Sequence, residues 1–497
     1  MELQLGKQKR MMYARVFDRT EEETCSVDAV VPDALGDIGA IVVAEGTFCL
    51  WNLDFSDKSA QIEGSIAADV VYAEEGGALR SFPVELPVKV RISGETLSPD
   101  VRPWLRCTLT ALDARAVNSR KVRVTARLSL CLHAYRETEL ALTDRIEGDG
   151  GAVFTRTETL RVQIPVSVEE KTFTVSETHR FLSGQPEADR LLCHTETVLL
   201  DDVSAAGSRV ILQGRVCAAV TYLPQGQICP AVETFETAFS QMLDCDTSPC
   251  LLHTTVNLTA AYLNVSAAAD GAALETEYHL VAQTVCLADA EADCVTDAYC
   301  NTAELTLERE TVAAGTVQPG EPLRLSAEGT LACEAASLTV VSRRAVVCGV
   351  TEDGCDVLVR LLAADTEQHV SCMEKRLHLP LEPADGARLE LLSVQPEEPV
   401  VTVTADGFQI RVTVTVRTAA LQESDLRQVT GATAQERACP YASVPSLTIV
   451  RWGGEDLWML AKRYCSSERL IRETNGLTDD AAMAEAPQYL LIPKTQA

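Results

Sequence analysis

Lys121-Val-Arg-Val-Thr-Ala-Arg-Leu-Ser-Leu130 alternates apolar and polar residues with period two. Val122, Val124, Ala126, Leu128 and Leu130 share one face, and the charged and hydroxyl residues share the other. That pattern marks a half-buried antiparallel strand, and Val and Thr suit its pleated surface. Ile410-Arg-Val-Thr-Val-Thr-Val416 reads the same way. Glu75-Gly76-Gly77, Asp270-Gly271, Asp353-Gly354 and Asp406-Gly407 punctuate such runs as turns. Helical periodicity is scarce before residue 450. The expectation is a mainly β protein built of tandem antiparallel sandwich-like or barrel-like domains.

The β region repeats. Gln61-Ile-Glu-Gly-Ser-Ile-Ala-Ala-Asp-Val-Val-Tyr72 matches Leu212-Gln-Gly-Arg-Val-Cys-Ala-Ala-Val-Thr-Tyr222 in pattern, with Gly64 and Gly214 150 residues apart. Phe82 and Phe235 follow each Tyr at a similar distance. Val122–Leu130 is echoed by Ala272–Leu280. A third copy, from about Asn301 to Leu421, is looser, and either Gly349 or Gly354 stands for Gly64 there. The period exceeds the roughly 20–50 residues of a solenoid unit, so each copy is long enough for its own core. The expected units are 1–150, 151–296 and 297–422, a polar linker 423–445, and a small module 446–497.

Composition narrows the function. The 497 residues are 46% hydrophobic and 23% charged, as in a protein with real cores. The net charge of −29 disfavours nucleic acid and anionic lipid as partners. The opening residues lack the apolar region of a signal peptide, and no run approaches the ~20 apolar residues of a spanning helix. The expectation is a chain kept in a cytosol, with its 18 cysteines reduced. The densest set, Cys245, Cys250, His253, Cys286, Cys294 and Cys300, lacks the paired spacing of a zinc site, so no metal and no cofactor is expected. The sequons at Asn257 and Asn264 carry no meaning in such a compartment. No nucleophile, phosphate-loop or zinc-protease motif occurs, and the seven His are scattered. The chain reads as a non-enzyme.

The last fifty residues are different. Ile449 to Trp452 reads as a strand and Gly453-Gly454 as a sharp exit. Glu455 and Asp456 suit the first turn of a helix, where carboxylates favour the positive end of the dipole. Leu457, Leu460, Ala461 and Tyr464 make an apolar face at helical spacing. Ser466 or Ser467 can cap a second helix. Leu470, Ile471 and Thr474 would face inward, and Asn475-Gly476 would end the helix in the left-handed region. Tyr489 to Ile492 returns as a strand. The expected core is Trp458, Leu460, Tyr464, Ile471 and Ile492.

This order resembles a LysM module, a βααβ domain that binds N-acetylglucosamine polymers or protein partners. Gly454-Glu455-Asp456-Leu457-Trp458 stands where that family has Gly-Asp-Thr-Leu-Trp. By resemblance, Gly454, Glu455, Asp456, Leu457, Asn475, Gly476 and Leu477 line its groove. Glu-Asp in place of Asp-Thr removes a hydroxyl that could pair with sugar, and Pro487 stands where Gly is usual. Upstream, Val30-Val31-Pro32-Asp33-Ala34-Leu35-Gly36-Asp37-Ile38 resembles the entry of DUF3794 domains, and Gln185 to Leu191 resembles a degenerate second copy. Three such domains before one LysM resemble the SipL-like spore coat morphogenetic proteins. The resemblance implies a non-catalytic scaffold of the mother-cell cytosol, gathered at the forespore surface, whose LysM docks a coat-layer ATPase. The alternative is a binder of peptidoglycan or another N-acetylglucosamine polymer.

Overall fold

Lys121–Leu130 opens a strand far longer than its alternation required. The computed structural model describes residues 2–149, 153–245, 251–351, 353–381, 388–437, 441–477 and 489–495. The first repeat comprises β1 (Leu3–Val30), β2 (Ile38–Ser56), β3 (Ser59–Glu74), β4 (Leu79–Ser93), β5 (Arg102–Asn118) and β6 (Lys121–Gly148). β2, β3 and β4 form an antiparallel meander, and β1, β6 and β5 form a second sheet in that order. One core draws on both sheets: Ile62, Ile66 and Val70 from β3, Leu86 and Ile92 from β4, and Val122 through Leu132 from β6. The first repeat is therefore a two-sheet sandwich at one end. Past Tyr135, where pairing with β5 stops, β6 continues with β1 alone as far as Leu3 opposite Gly148. At ~3.3 Å per residue this free ribbon reaches about 40 Å from the sandwich.

The second repeat copies this plan. It comprises β7 (Val153–Arg180), β8 (Ala188–Ala206), β9 (Arg209–Pro224), β10 (Ala231–Asp244), β11 (Leu251–Ala267) and β12 (Ala273–Cys300). Its sheets are β8-β9-β10 and β7-β12-β11. The duplicated residues have duplicated roles. The Tyr72 hydroxyl donates to Gly36 O at 2.9 Å, and the Tyr222 hydroxyl to Pro186 O at 3.3 Å. A Cβ on Gly64 would stand 2.3 Å from Cys49 O and 2.9 Å from the Phe48 ring; on Gly214 it would stand 2.3 Å from Leu199 O and 2.6 Å from the Phe239 ring. Each glycine thus makes room for a crossing backbone and an aromatic ring. Pro186 corresponds to Gly36, so the counterpart of the Pro32–Ile38 entry is Leu182–Ala188. The expected match of Gln185–Leu191 was displaced because the shared Pro suggested a register that the tyrosine contacts do not follow.

The third repeat keeps the plan with two strands broken. It comprises β13 (Ala303–Pro319), β14 (Leu323–Ala332), β15 (Thr339–Thr351), β16 (Gly354–Ala364), β17 (Val370–Pro380), β18 (Arg388–Pro396), β19 (Val400–Thr404) and β20 (Gly407–Glu436). β13 and β14 both pair with β20, as do β18 and β19, while β15-β16-β17 form the meander. Pro319 and Pro322 bracket the first break, because proline removes the ladder's N–H donor. A bulge at Val42, Leu192 and Val341 marks the same place on the second strand of each repeat. Counted from it, Cys355 is the counterpart of Gly64. Gly354 precedes it, with φ +145°, and Gly349 lies on the neighbouring strand.

Two expected boundaries move. β12 runs on to Cys300 and β13 begins at Ala303, so the second repeat does not end at 296. The polar stretch expected as linker 423–445 is strand as far as Glu436, pairing with β13. Its polarity misleads because a ribbon fully buries few of its residues. Val429 is buried, and Gln428 uses its side chain to accept from Thr143 N and donate to Ala141 O, both at 3.2 Å.

The repeats interlock. Leu142 of β6, Ile164 of β7, Ala290 of β12 and Val312 of β13 share one cluster, and Ile146, Val295 and Val429 share another, so all three ribbons pack together. At the sandwich ends the three bulge residues Val42, Leu192 and Val341 meet in a further cluster. Beside it lies a buried ion network. Arg360 Nη1 reaches Glu45 Oε2 at 2.9 Å, and Arg360 Nε reaches Glu374 Oε1 at 2.7 Å. Arg344 donates to Ala219 O at 2.9 Å and to Thr195 Oγ1. A cavity of about 450 Å³ opens among residues of all three repeats.

Candidate functional site

The C-terminal segment builds its frame locally. β21 (Leu447–Arg451) pairs antiparallel with β22 (Tyr489–Pro493), and α1 (Leu457–Tyr464) and α2 (Glu468–Asn475) lie between them in the chain. Asp456 is the N-cap of α1, its carboxylate accepting from Trp458 N at 3.0 Å. Glu455 therefore precedes the helix, where both acids were expected inside the first turn; its carboxylate accepts instead from Gly453 N, which holds it below the usual carboxylate range. Lys462 and Arg463 occupy the last turn. Ser467, not Ser466, caps α2 by accepting from Leu470 N at 3.2 Å, and Gly476 ends it at φ +71°.

Leu457, Trp458, Leu460, Ile471 and Ile492 are buried together, with Tyr464 half-buried against them. Thr474 is exposed, against expectation, its hydroxyl donating back to Leu470 O at 2.7 Å. Trp452 is half-buried and its indole N–H donates to Glu455 O at 2.9 Å.

Of the seven expected groove residues, the fold uses most internally. Leu457 and Leu477 are core. The Asn475 amide is spent on backbone: its nitrogen donates to Ile471 O and Leu491 O, and its oxygen accepts from Leu491 N. Asp456 Oδ2 is held by Arg156 Nη1 at 2.6 Å. Gly454 and Gly476 remain open, with nothing within 4 Å of a Cβ built on either. Pro487 lies outside the described residues.

The core of this segment does not end at its own boundary. Trp458 meets the Tyr299 ring edge-on at 4.8 Å, and Phe154 stacks on Tyr299 at 5.0 Å. Both partners belong to the far end of the second ribbon. Asp297 gathers the Trp458 indole N–H at 2.8 Å, Lys462 Nζ at 3.0 Å and Arg309 Nη2 at 2.8 Å. Burial alone would raise its carboxyl, but the Trp458 and Lys462 donors hold it below the usual range. The Tyr299 hydroxyl and Asn301 Nδ2 both donate to Ser466 O, at 3.0 and 3.2 Å. Cys465, left-handed at φ +55° and fully buried, accepts at Sγ from Arg437 Nη1 at 3.0 Å. None of Arg156, Asp297, Tyr299 and Asn301 was singled out in the sequence. Their roles depend on a docking partner more than 150 residues away, and local pattern carries no trace of it.

The dense cysteine region separates, except that Cys245 and Cys286 stay in contact. Cys245 and Cys286 lie in the second repeat's core, Cys294 faces Gln428, and Cys300 pairs with the Thr302 hydroxyl. Cys250 and the His253 side chain lie outside the described residues. Burial pushes the thiols of Cys49, Cys193, Cys286 and Cys372 up to about 12, which suppresses the reactive thiolate. The sequon residue Asn257 is buried, its amide donating to Leu105 O at 2.6 Å. No helix of the described residues is long and apolar enough to cross a membrane. No family model, curated protein or solved structure matches the chain.

Proposed function

We propose that the chain is a non-catalytic scaffold for spore coat assembly, working in the mother-cell cytosol at the forespore surface. Its C-terminal segment is a LysM-type module that docks a coat-layer partner, in the first instance the coat ATPase. The observation that carries this reading is the placement of the module. It is seated on Phe154 and Tyr299, at the end of a ribbon about 40 Å from the sandwiches. A small recognition unit held on a stiff arm suits an adaptor that joins two layers.

The outward face of the module supports a protein ligand. Ile449 and Leu491 sit opposite each other on β21 and β22, and both are exposed, as are Leu447 and Tyr489. An apolar patch of this kind is typical of an interaction surface. The expected sugar-facing groups, by contrast, are mostly consumed by the fold. One observation favours the second reading, a peptidoglycan or N-acetylglucosamine-polymer binder: the backbone at Gly453, Gly454 and Gly476 is exposed and could meet an acetamido group.

The test uses the full chain. Ile449→Asp with Leu491→Asp should abolish capture of the coat ATPase while leaving the fold intact by circular dichroism. Unchanged capture would defeat the proposal. Co-sedimentation with purified peptidoglycan, lost on Gly454→Trp and unaffected by the apolar pair, would establish the sugar reading instead.

A further inference from the structure

We infer that Asp18, Cys131 and His133 form a binding site for a transition-metal ion of the zinc class. The β register brings them together. His133 and Cys131 are two residues apart on β6, so they share a face, and Asp18 of β1 lies directly opposite His133. Their ligand atoms lie within 4.8 Å of one another, and among the described residues no other trio of His, Cys, Asp or Glu meets that condition.

The spacings of the other two ligand atoms from His133 Nε2 match those of a tetrahedral set. Zinc takes sulfur at about 2.3 Å, imidazole nitrogen at about 2.0–2.1 Å and carboxylate oxygen at about 2.0 Å. At tetrahedral angles those lengths put sulfur and nitrogen about 3.6 Å apart, and nitrogen and oxygen about 3.3 Å apart. The structure has Cys131 Sγ 3.5 Å from His133 Nε2, and Asp18 Oδ1 3.3 Å from the same nitrogen. The surroundings fix the ligands. Trp104 stacks on the His133 ring at 4.8 Å with planes 13° apart, which leaves Nε2 aimed at the other two. Arg15 Nη1 holds the far oxygen of Asp18, Oδ2, at 3.3 Å, leaving Oδ1 free to ligate. The Asp18 side chain is 51% exposed, so an ion can enter and a water can complete the fourth position.

Ligand chemistry selects the metal. Thiolate and imidazole together suit zinc, cobalt or copper, whereas magnesium and calcium ask for all-oxygen sets. Arg15, and Arg106 over the Trp104 ring, are cationic neighbours. With Cys131 as thiolate and Asp18 as carboxylate the loaded site is neutral, one positive charge above the empty site, and the Asp18 side chain opens that charge to water. Binding converts the Cys131 thiol to thiolate and releases its proton to solvent.

The experiment uses the full chain stripped with chelator and titrated with cobalt(II), then displaced with zinc. The expected result is one equivalent of cobalt giving a near-ultraviolet thiolate-to-cobalt band and the visible bands of a four-coordinate ion. Cys131→Ser should abolish the thiolate band, and Asp18→Asn, at an exposed position, should weaken binding at least about tenfold. Cys107→Ser, on β5, should leave the spectrum unchanged. No thiolate band in the wild type, or a band that survives both Cys131→Ser and Asp18→Asn, overturns the inference.

Discussion

Replacing Arg360 with Leu tests how the three repeats are held together. Arg360 of the third repeat is 9% exposed and Glu45 of the first is 7% exposed. At 2.9 Å, with an effective dielectric constant of about 20, their direct attraction is about 6 kcal/mol. Desolvation of both groups offsets most of that in the native protein. Removing the guanidinium alone leaves Glu45 buried without its partner, which costs about 3–5 kcal/mol. Glu374, 46% exposed, regains water and adds little. The Ala44 and Leu112 carbonyls lose donors that sit at 3.3 and 3.4 Å, a small further loss. The assay is urea unfolding of the full chain, read at its earliest transition by near-ultraviolet circular dichroism. Adding Glu45→Leu to Arg360→Leu should recover much of the loss, because an apolar pair of similar volume leaves no buried charge. A cost below about 1 kcal/mol for Arg360→Leu, or strict additivity of the two substitutions, would refute the reasoning.

Other consequences are as direct. Gly64→Ala should destabilise the first repeat, because its Cβ meets the Cys49 carbonyl at 2.3 Å, whereas Gly76→Ala, in open space without positive φ, should be neutral or gain about 0.4–1 kcal/mol; paired thermal melts separate them. In the His194 ring, desolvation by burial opposes the proton, but the Glu196 and Asp69 carboxylates outweigh it and raise the pKa to about 9. The charged form is thus favoured by folding, so this contribution is full below about pH 6.5 and is lost as pH rises through about 9. The melting temperature should fall over that window in the wild type and fall less in His194→Gln. Leu457→Ala and Ile471→Ala, each at a buried position, should cost about 2–5 kcal/mol and release the module, seen as rapid proteolysis after residue 437. Asp297→Ala should loosen the module's seat on the ribbon without unfolding it, seen as faster amide exchange at Trp458 and Lys462.

The alternation of Val122–Leu130 made the strand class legible, and the spacing of Gly64/Tyr72 against Gly214/Tyr222 made the first duplication legible. Both signals are local, set by which side chains a pleat must bury. The ribbons were not legible. A two-sided strand such as 425–436 fully buries Gln428 and Val429 and leaves the rest half-buried or exposed, so its composition imitates a linker. The third repeat hid its register because Cys355 fills the place that glycine marks elsewhere. At the C-terminal module, helix spacing and caps could be read from sequence to within a residue. The seat on Tyr299 and Asn301 could not, since it is written in residues that look ordinary until the chain has folded back.

The convergence of the three repeats has an evolutionary consequence. Three residues past the shared bulge, the equivalent positions hold Glu45, Thr195 and Arg344. Three identical chains around one axis would place the same group at all three, and three buried acids or three buried bases there would repel. Joining the copies into one polypeptide frees each from its siblings' identity, so an acid, a hydroxyl and a base can divide the place among them. The order of the repeats thereby becomes information: shuffling them would preserve every strand and strip Arg360 and Arg344 of the neighbours they were selected to meet.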